Sequence, residues 1–498
     1  TYDQRFGNHS VSALLLYNQR NYDDGDQVPY RTQGFAGRAA YTYADRYIAE
    51  FNFGYNGSEN FAKGNRFGFF PSIAAGWIVS EEEFMRPVQN YINKLKLRAS
   101  YGLAGNDRFY NDDGSQKRFA YITTIGSTDG YKWGNSNAFY EKGGLREGDP
   151  GVESLTWETV KKANVGIELG LFKMAELQVD FFHERREDIF MQRKNIPSSA
   201  GFPSAPWANY GIVTNKGFDI SLDLNKQINK DWFISARASV TYAKNKIIEQ
   251  DEDLGVLGTY RSSTGKPVGQ IFGLVNDGLY TEADFEDVTT GKLKPGLPVP
   301  KFSDRVYPGD IKYLDLNGDN EITETDKTAI GGTVNPELVY GFGINLSYKN
   351  IDFGAFFQGN GRTYRIIGEN QKNFLPGSTI GAEGNIFTNA SDAWTVDNPS
   401  QDVFYPRLHM GYNANNAQVS DWWLKDMSML RLKNVELGYS FSKNLIKKAA
   451  MEYARIFVRG TNLLQFSKFD LWDPELNTSN GLKYPIMATY SIGLQVRF

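Results

Sequence analysis

The side chains best suited to chemistry stand in one acidic run, Asp315-Leu316-Asn317-Gly318-Asp319-Asn320-Glu321-Ile322-Thr323-Glu324-Thr325-Asp326. Oxygen donors at the first, third, fifth, seventh and twelfth positions have the spacing of a calcium loop. The ligands would be Asp315, Asn317, Asp319, the backbone carbonyl of Glu321, and Asp326. Ile322 fits the small hydrophobic contact that such loops make. Two departures weaken the match. Asn320 stands where Gly is usual, and Asp326 is shorter than the usual bidentate Glu. Asn tolerates positive φ better than most residues, so the turn is feasible. The competing reading is a solvated acidic turn that folds without metal. A second set is aromatic. Trp133, Trp207, Trp394, Trp422, Trp423 and Trp472 lie in polar stretches of the chain. Aromatic faces stack on sugar rings, which makes Trp133, Trp207, Trp422, Trp423 and Trp472 substrate-binding candidates. Cysteine is absent and only three histidines are scattered along the chain, which excludes thiolate chemistry and leaves no zinc cluster. No Gly-rich phosphate loop, Ser–His–Asp spacing or close carboxylate pair stands out, so nothing argues for an enzyme.

The elements that must hold these residues are strands. Tyr, Phe and Trp make up 14% of the chain and Gly contributes 50 residues, yet the mean hydropathy is -0.47. Aromatic, glycine-rich and polar on average describes β-rich sequence with large polar loops. A net charge of -4 gives no basic face for nucleic acid. No apolar run is long enough for a transmembrane helix, but a membrane barrel needs none, because its strands alternate. Near the end, Tyr490, Ile492, Leu494, Val496 and Phe498 alternate with Ser491, Gly493, Gln495 and Arg497. Tyr340, Phe342, Ile344, Leu346 and Tyr348 alternate with Gly341, Gly343, Asn345 and Ser347. Lys349-Asn350 then turns into Ile351, Phe353, Ala355 and Phe357, which predicts a hairpin. Ala163, Val165, Ile167 and Leu169 pair in the same way with Leu177, Val179 and Phe181. Phe218, Ile220 and Leu222 do so with Ile234, Ala236, Ala238 and Val240. Tyr47, Ala49, Phe51, Phe53 and Tyr55 form one more apolar face. The opposite faces carry Glu168, Asp180, Asp219, Arg237 and Glu436, and regularly placed charge suits a wet lumen better than a packed core.

The pattern predicts about fourteen strands. Short turns follow Tyr43, Leu171, Leu224, Tyr348 and Phe441. Long stretches fill Asn106–Trp157, Asn245–Pro336 and Asn360–Met429. Short turns on one side and long loops on the other are the plan of an outer-membrane barrel, with the long loops outside when Phe498 ends in the periplasm. The tryptophans then have a second reading, as part of the aromatic girdles at the membrane interface. His183, on the apolar parity beside Glu184 and Arg185, reads as a rim residue.

Several blocks resemble the SusC-like branch of TonB-dependent transporters from the outer membranes of Bacteroidetes. They are Ala39–Asn106 with Asp45-Arg46-Tyr47, Phe70-Pro71-Ser72 and Gly76-Trp77; Asn209-Tyr210-Gly211 through Asn215-Lys216-Gly217-Phe218; Tyr307-Pro308-Gly309-Asp310-Ile311-Lys312-Tyr313 followed by Asp315–Asp326; and Leu432–Phe441 with Arg459-Gly460-Thr461-Asn462-Leu463. The resemblance covers nearly the whole chain, in family order. It implies a transmembrane antiparallel barrel of roughly 22 strands holding an N-terminal plug. Residues 1–498 correspond to its C-terminal portion. The plug and the first strands have no counterpart here, and the rest of the barrel is expected as further sequence, because raw sheet edges are not tolerable in lipid. The resemblance further implies active import of a nutrient, an oligosaccharide or in some relatives a peptide. A SusD-like surface lipoprotein would sit on the outer loops, and TonB would act through the plug. The alternatives are a non-transporting surface glycan-binding or structural β-protein, and a passive porin.

Overall fold

In a computed structural model the described residues are all but 24, 26–28, 112–113, 136–137, 203, 369–373, 377–387 and 448–450. Part of the predicted long stretch Asn360–Met429 therefore lies outside the described residues. Strand accounts for 56% of the chain and helix for 6%, so the all-β class holds. Among the described residues fifteen strands form one antiparallel sheet, against about fourteen expected.

The chain divides into two compact units, residues 1–224 with 243–257, and residues 225–242 with 258–498. In the first, β1 (Tyr2–Phe6), β2 (His9–Tyr22), β3 (Tyr30–Tyr43), β4 (Tyr47–Ser58), β5 (Phe67–Ile78) and β6 (Ile92–Asn106) meander in order. They continue into β7 (Glu158–Leu171), β8 (Ala175–Gln192) and β9 (Trp207–Gln227), whose last residues belong to the second unit. In the second unit, most of β10 (Trp232–Glu249) is followed by β11 (Leu338–Tyr348), β12 (Ile351–Gly361), β13 (Met429–Ser440), β14 (Tyr453–Ser467) and β15 (Thr489–Arg497). Two of the expected hairpin registers hold. Val165 faces Phe181 and Ile167 faces Val179. Phe342 faces Phe357 and Tyr348 faces Ile351.

Most connections alternate as expected; the one between β5 and β6, residues 79–91, is longer and carries two 3-10 turns. Ala44 to Arg46, Phe172 to Met174 and Lys349-Asn350 are tight, and Ala44, Asp45, Phe172, Lys173 and Lys349 all adopt positive φ. One short turn was misjudged. After Ser440 the chain runs through a helical turn, Lys443–Ile446, before Tyr453 begins β14. The period-two pattern is blind to a short helix between strands.

The two sheet faces differ as the alternation requires. Phe342, Ile344, Ile492 and Leu494 are exposed, the last two at 77% and 66%, while Tyr340, Leu346 and Val496 are half-buried. A soluble sandwich would bury such a face against a second layer. Aromatic rings collect at the short-turn ends. Tyr47 stacks beside Tyr43 and Trp77, each at 6.5 Å, and Trp232 meets Tyr348 at 4.5 Å. Rings at strand ends are the girdle that a membrane wall carries.

The polar face is ionic. Glu168 meets Lys94 at 3.1 Å, Lys96 at 3.5 Å and Arg98 at 3.4 Å. Arg98 also reaches Asp180 at 2.7 Å across the intervening strand. It can do so because Gly166 lies between them. A Cβ there would sit 2.5 Å from the Asp180 carboxylate and 2.8 Å from Arg98 Nε. The device recurs in the second unit, where Arg455 on β14 passes over Gly438 on β13 to bind Asp352 on β12. Glycine between an Arg and an Asp two strands apart gives a polar tie that spans three strands.

If the exposed apolar face meets lipid, Ile344→Arg should cost about 2–4 kcal/mol near the midplane. A barrel with this change should lose its heat-resistant folded band on a denaturing gel at a lower temperature than the parent. An unchanged melting temperature would remove the assignment.

Candidate functional site

Chain between wall strands does not merely connect them. In the second unit, described residues of the stretches 258–337, 362–428 and 468–488 contribute to one hydrophobic core that includes Leu274, Ile311, Ile367, Tyr405, Trp423 and Phe469. Segments this long bury part of their backbone, and every buried N–H and C=O must then be paired. The pairing is centred on Asp310, which is wholly buried. Its Oδ1 accepts from Asn416 Nδ2 at 2.8 Å and Asn413 Nδ2 at 3.3 Å, and lies 2.5 Å from His409 Nε2. Its Oδ2 accepts the Tyr307 N–H at 2.8 Å. Asn416 Oδ1 in turn accepts the Ile311 N–H at 2.9 Å, and Asn415 Nδ2 donates to the Ile311 carbonyl at 2.9 Å. One carboxylate thus ties the stretch after β10 to the stretch after β12. Gly309 has φ +92°, and the Trp394 ring occupies the place where a Cβ would project. This explains the Tyr307-Pro308-Gly309-Asp310 block, whose structural role sequence reasoning missed. A buried acid among Asn side chains leaves no periodic signal.

The acidic run adopts the turn expected of it. Gly318 and Asn320 have φ of 77° and 63°. Asp315 accepts the N–H groups of Gly318 at 2.7 Å and Asn320 at 2.8 Å. Asn317 accepts from Asp319, and Asp319 from Glu321. Asp326, wholly buried, accepts Leu316 N–H at 3.0 Å and Thr323 N–H at 2.8 Å. Ile322 is buried and pairs in a short parallel bridge with Pro300. Desolvation would raise the Asp315 carboxyl, but the surrounding N–H groups outweigh it and hold it below its ordinary value. Tyr260, whose hydroxyl donates to the Thr325 carbonyl at 2.7 Å, is pushed up by desolvation and by the nearby Asp326, Asp315 and Asp319. The carboxylates are turned onto the loop's own backbone. Among the described residues no three acidic or histidine side chains gather into a group that could hold a metal ion as they stand.

The tryptophans do not converge on one site. Trp423 is wholly buried with Nε1 donating to the Asn416 carbonyl at 2.8 Å, so the expectation that it touches substrate is corrected. Trp394 is likewise core. Trp422 donates to the Phe404 carbonyl at 3.1 Å, and Trp472 packs edge-on to Phe469 at 4.9 Å; both lie against that core and are half-buried. Trp207 stacks on Phe190 at 4.9 Å beside a smaller cluster of Phe61, Phe109, Leu155 and Trp157 in the first unit. Trp133 alone stands on an exposed hairpin, Ile125–Asn135 with Ala138–Glu147, close to Tyr131 and Tyr140. Those two tyrosines were missed, although Tyr131 and Trp133 sit at strand spacing.

No family model matches the chain. Curated relatives do. The TonB-dependent receptor P26 of Formosa agariphila is 30% identical over 506 residues, covering 96% of this chain and 47% of the relative. SusC of Bacteroides thetaiotaomicron, also named a TonB-dependent receptor, is 25% identical over 500 residues, covering 97% and 46%. Among solved structures, that of the RagAB peptide transporter superposes with a TM-score of 0.73 at 21% identity, covering 99% of this chain and 54% of that one. The chain belongs to the SusC-like, TonB-dependent transporter family. It spans about half the length of the curated relatives it matches and corresponds to the C-terminal barrel portion of the SusC-like fold. Its strands are transmembrane strands of the outer membrane. No described helix is long and apolar enough to cross a membrane.

One anchor of this SusC-like chain has a readable pH signature. Burial would raise the Asp251 carboxyl, but Arg193 Nε at 2.8 Å, the Lys194 N–H at 2.7 Å and Asn195 Nδ2 at 2.8 Å lower it to about 2. A depressed acid stabilises the fold above its unfolded value near 3.8, and that stability is lost as pH falls toward 2. Hydrogen exchange of residues 193–206 should therefore accelerate in that window. In Asp251→Ala it should already be fast at neutral pH and show no such step. A wild-type segment whose exchange shows no step below pH 4 would contradict the anchor.

Proposed function

We propose that this chain is the C-terminal part of the wall of a TonB-dependent importer that takes up a nutrient, an oligosaccharide, with a SusD-like surface lipoprotein over its outer loops. The plug and the first strands would come from the rest of a longer protein, and TonB would act through that plug. The proposal involves no enzymatic step. The observation that carries it is the hydrophobic core that described residues of the long connections build, tied together by Asp310. Connections this large exceed what joining two strands needs, and such loops carry function. The names of the relatives support the transport class. RagAB is a peptide transporter, which makes peptide uptake the second reading.

The docking surface for the lipoprotein would include the apolar knob at Met410 and Tyr412, which are 90% and 54% exposed. Exposed apolar side chains on an ordered loop mark contact sites. Met410→Asp with Tyr412→Asp should reduce co-purification of the lipoprotein about tenfold, as loss of a central contact does, while the barrel stays heat-resistant. Full retention of the lipoprotein by that variant would refute the docking surface. TonB-independent uptake of the same nutrient would refute the importer.

For the loop Asp315–Asp326 we propose calcium binding through Asp315, Asn317, Asp319, the Glu321 carbonyl and Asp326, with the carboxylates rotating off their backbone partners. Support comes from the sharp turn at Gly318 and Asn320 and from the buried Ile322. Adding calcium at about 1 mM should protect the loop from proteolysis, and chelation should reverse it, as for extracellular modules of that affinity. Identical cleavage with calcium and with chelator would leave the acidic turn as the correct reading.

A further inference from the structure

The hairpin Ile125–Asn135 with Ala138–Glu147 leaves both faces in solvent. Trp133 pairs with Tyr140 and Tyr131 with Lys142, so these four side chains share one face. The rings form a short ribbon, with centroids 5.8 Å apart from Tyr131 to Trp133 and 4.7 Å from Trp133 to Tyr140. Tyr131 is 76% exposed and Tyr140 62%. Three clustered rings packed on one another rather than on a core offer a broad apolar surface with polar tips. Charge then separates by face. Lys142 and Arg146 alternate with Glu141 and Glu147 along their strand, so the cations lie on the aromatic side. Across the sheet Glu141 meets Lys132 at 3.3 Å.

We propose that this face is a stacking platform for an anionic glycan bearing carboxylate or sulfate groups. A protein partner would favour a contact centre depleted of charge, whereas here Lys142 stands opposite Tyr131 and Arg146 lies farther along the same strand. A second surface of the same unit has the same character. A groove of about 520 Å³ is lined by Arg20, Arg31, Arg66, Gln19, Gln33 and Tyr121. Glu59, which also lines it, is engaged by Arg118 at 2.6 Å. The inference rests on the importer reading in one respect, that the stretch between β6 and β7 faces the outside.

The test uses the full-length protein in detergent micelles and titrates a galacturonate hexamer and a neutral maltohexaose. The acidic sugar should bind more tightly, and added salt should erase the difference. Trp133→Ala should weaken binding of the acidic sugar about tenfold, equivalent to about 1.4 kcal/mol, and Trp133→Phe should restore most of it. Lys142→Gln with Arg146→Gln should abolish the preference for the acid. Vesicles containing lipopolysaccharide separate a free glycan from an envelope sugar. Competition between vesicles and hexamer supports the shared chemistry and assigns an envelope source, whereas hexamer binding without vesicle binding assigns a free one. Equal affinity for both hexamers, or unchanged binding by Trp133→Ala, would overturn the platform. So would a Trp133→Ala protein that releases the lipoprotein and keeps the sugar. Binding without TonB-dependent uptake would sink the importer and leave the platform standing. Normal uptake without binding at the hairpin would sink the platform alone.

Discussion

A strand that crosses lipid has no water to satisfy its backbone, so each N–H and C=O must pair with a neighbouring strand. Everything else in this chain is arranged under that constraint. Pairing sideways fixes the pleat, and the pleat sends alternate side chains to opposite faces. Lipid accepts only apolar groups on one face, which is why Phe342, Ile344, Ile492 and Leu494 stay exposed to no disadvantage. The other face is free to be polar, and it gathers charge in ladders such as Glu168 with Lys94, Lys96 and Arg98. The glycines at 166 and 438 matter because a side chain there would separate Arg98 from Asp180 and Arg455 from Asp352. Such ties restrain strands that have already paired, and they do so without adding apolar surface to the wet side.

The same constraint sorts the connections. Chain at the tight end has only to reverse, and paired positive-φ residues such as Ala44-Asp45 and Phe172-Lys173 suffice. Chain at the other end leaves the wall and has to find partners of its own. It does so by building cores, a large one around Trp423, Tyr405 and Ile311 and a smaller one around Phe61, Leu155 and Trp157. Asp310 is the polar counterpart of the larger core. A buried carboxylate is tolerable only when its oxygens are fully used, and the two Asn side chains, His409 and the Tyr307 N–H use them. Loops held in this way present a defined surface.

Much of the wall was legible in the sequence, because alternation is a one-dimensional signal. The register of β7 with β8 and of β11 with β12 follows from where apolar residues stop and the turn begins. The acidic loop was also legible, since its turn depends on residues within a single run, Gly318 and Asn320. The tryptophans were not. Trp423 and Trp133 look alike as residues in polar chain, yet one is wholly buried and the other stands on an open hairpin. Burial depends on contacts between residues as far apart as Asp310 and Asn416, and no local pattern records them.

The sequence by itself therefore determined the strands, their faces and the side on which the long connections emerge, since each depends on period-two alternation and on turn residues close in the chain. Only the tertiary structure decided which aromatics became core and which remained available. It also decided that one carboxylate would join two loops, and that an Arg and an Asp two strands apart would meet over a glycine. Those outcomes depend on pairing in space, where the cost of burying a polar group is met by partners far away in the sequence.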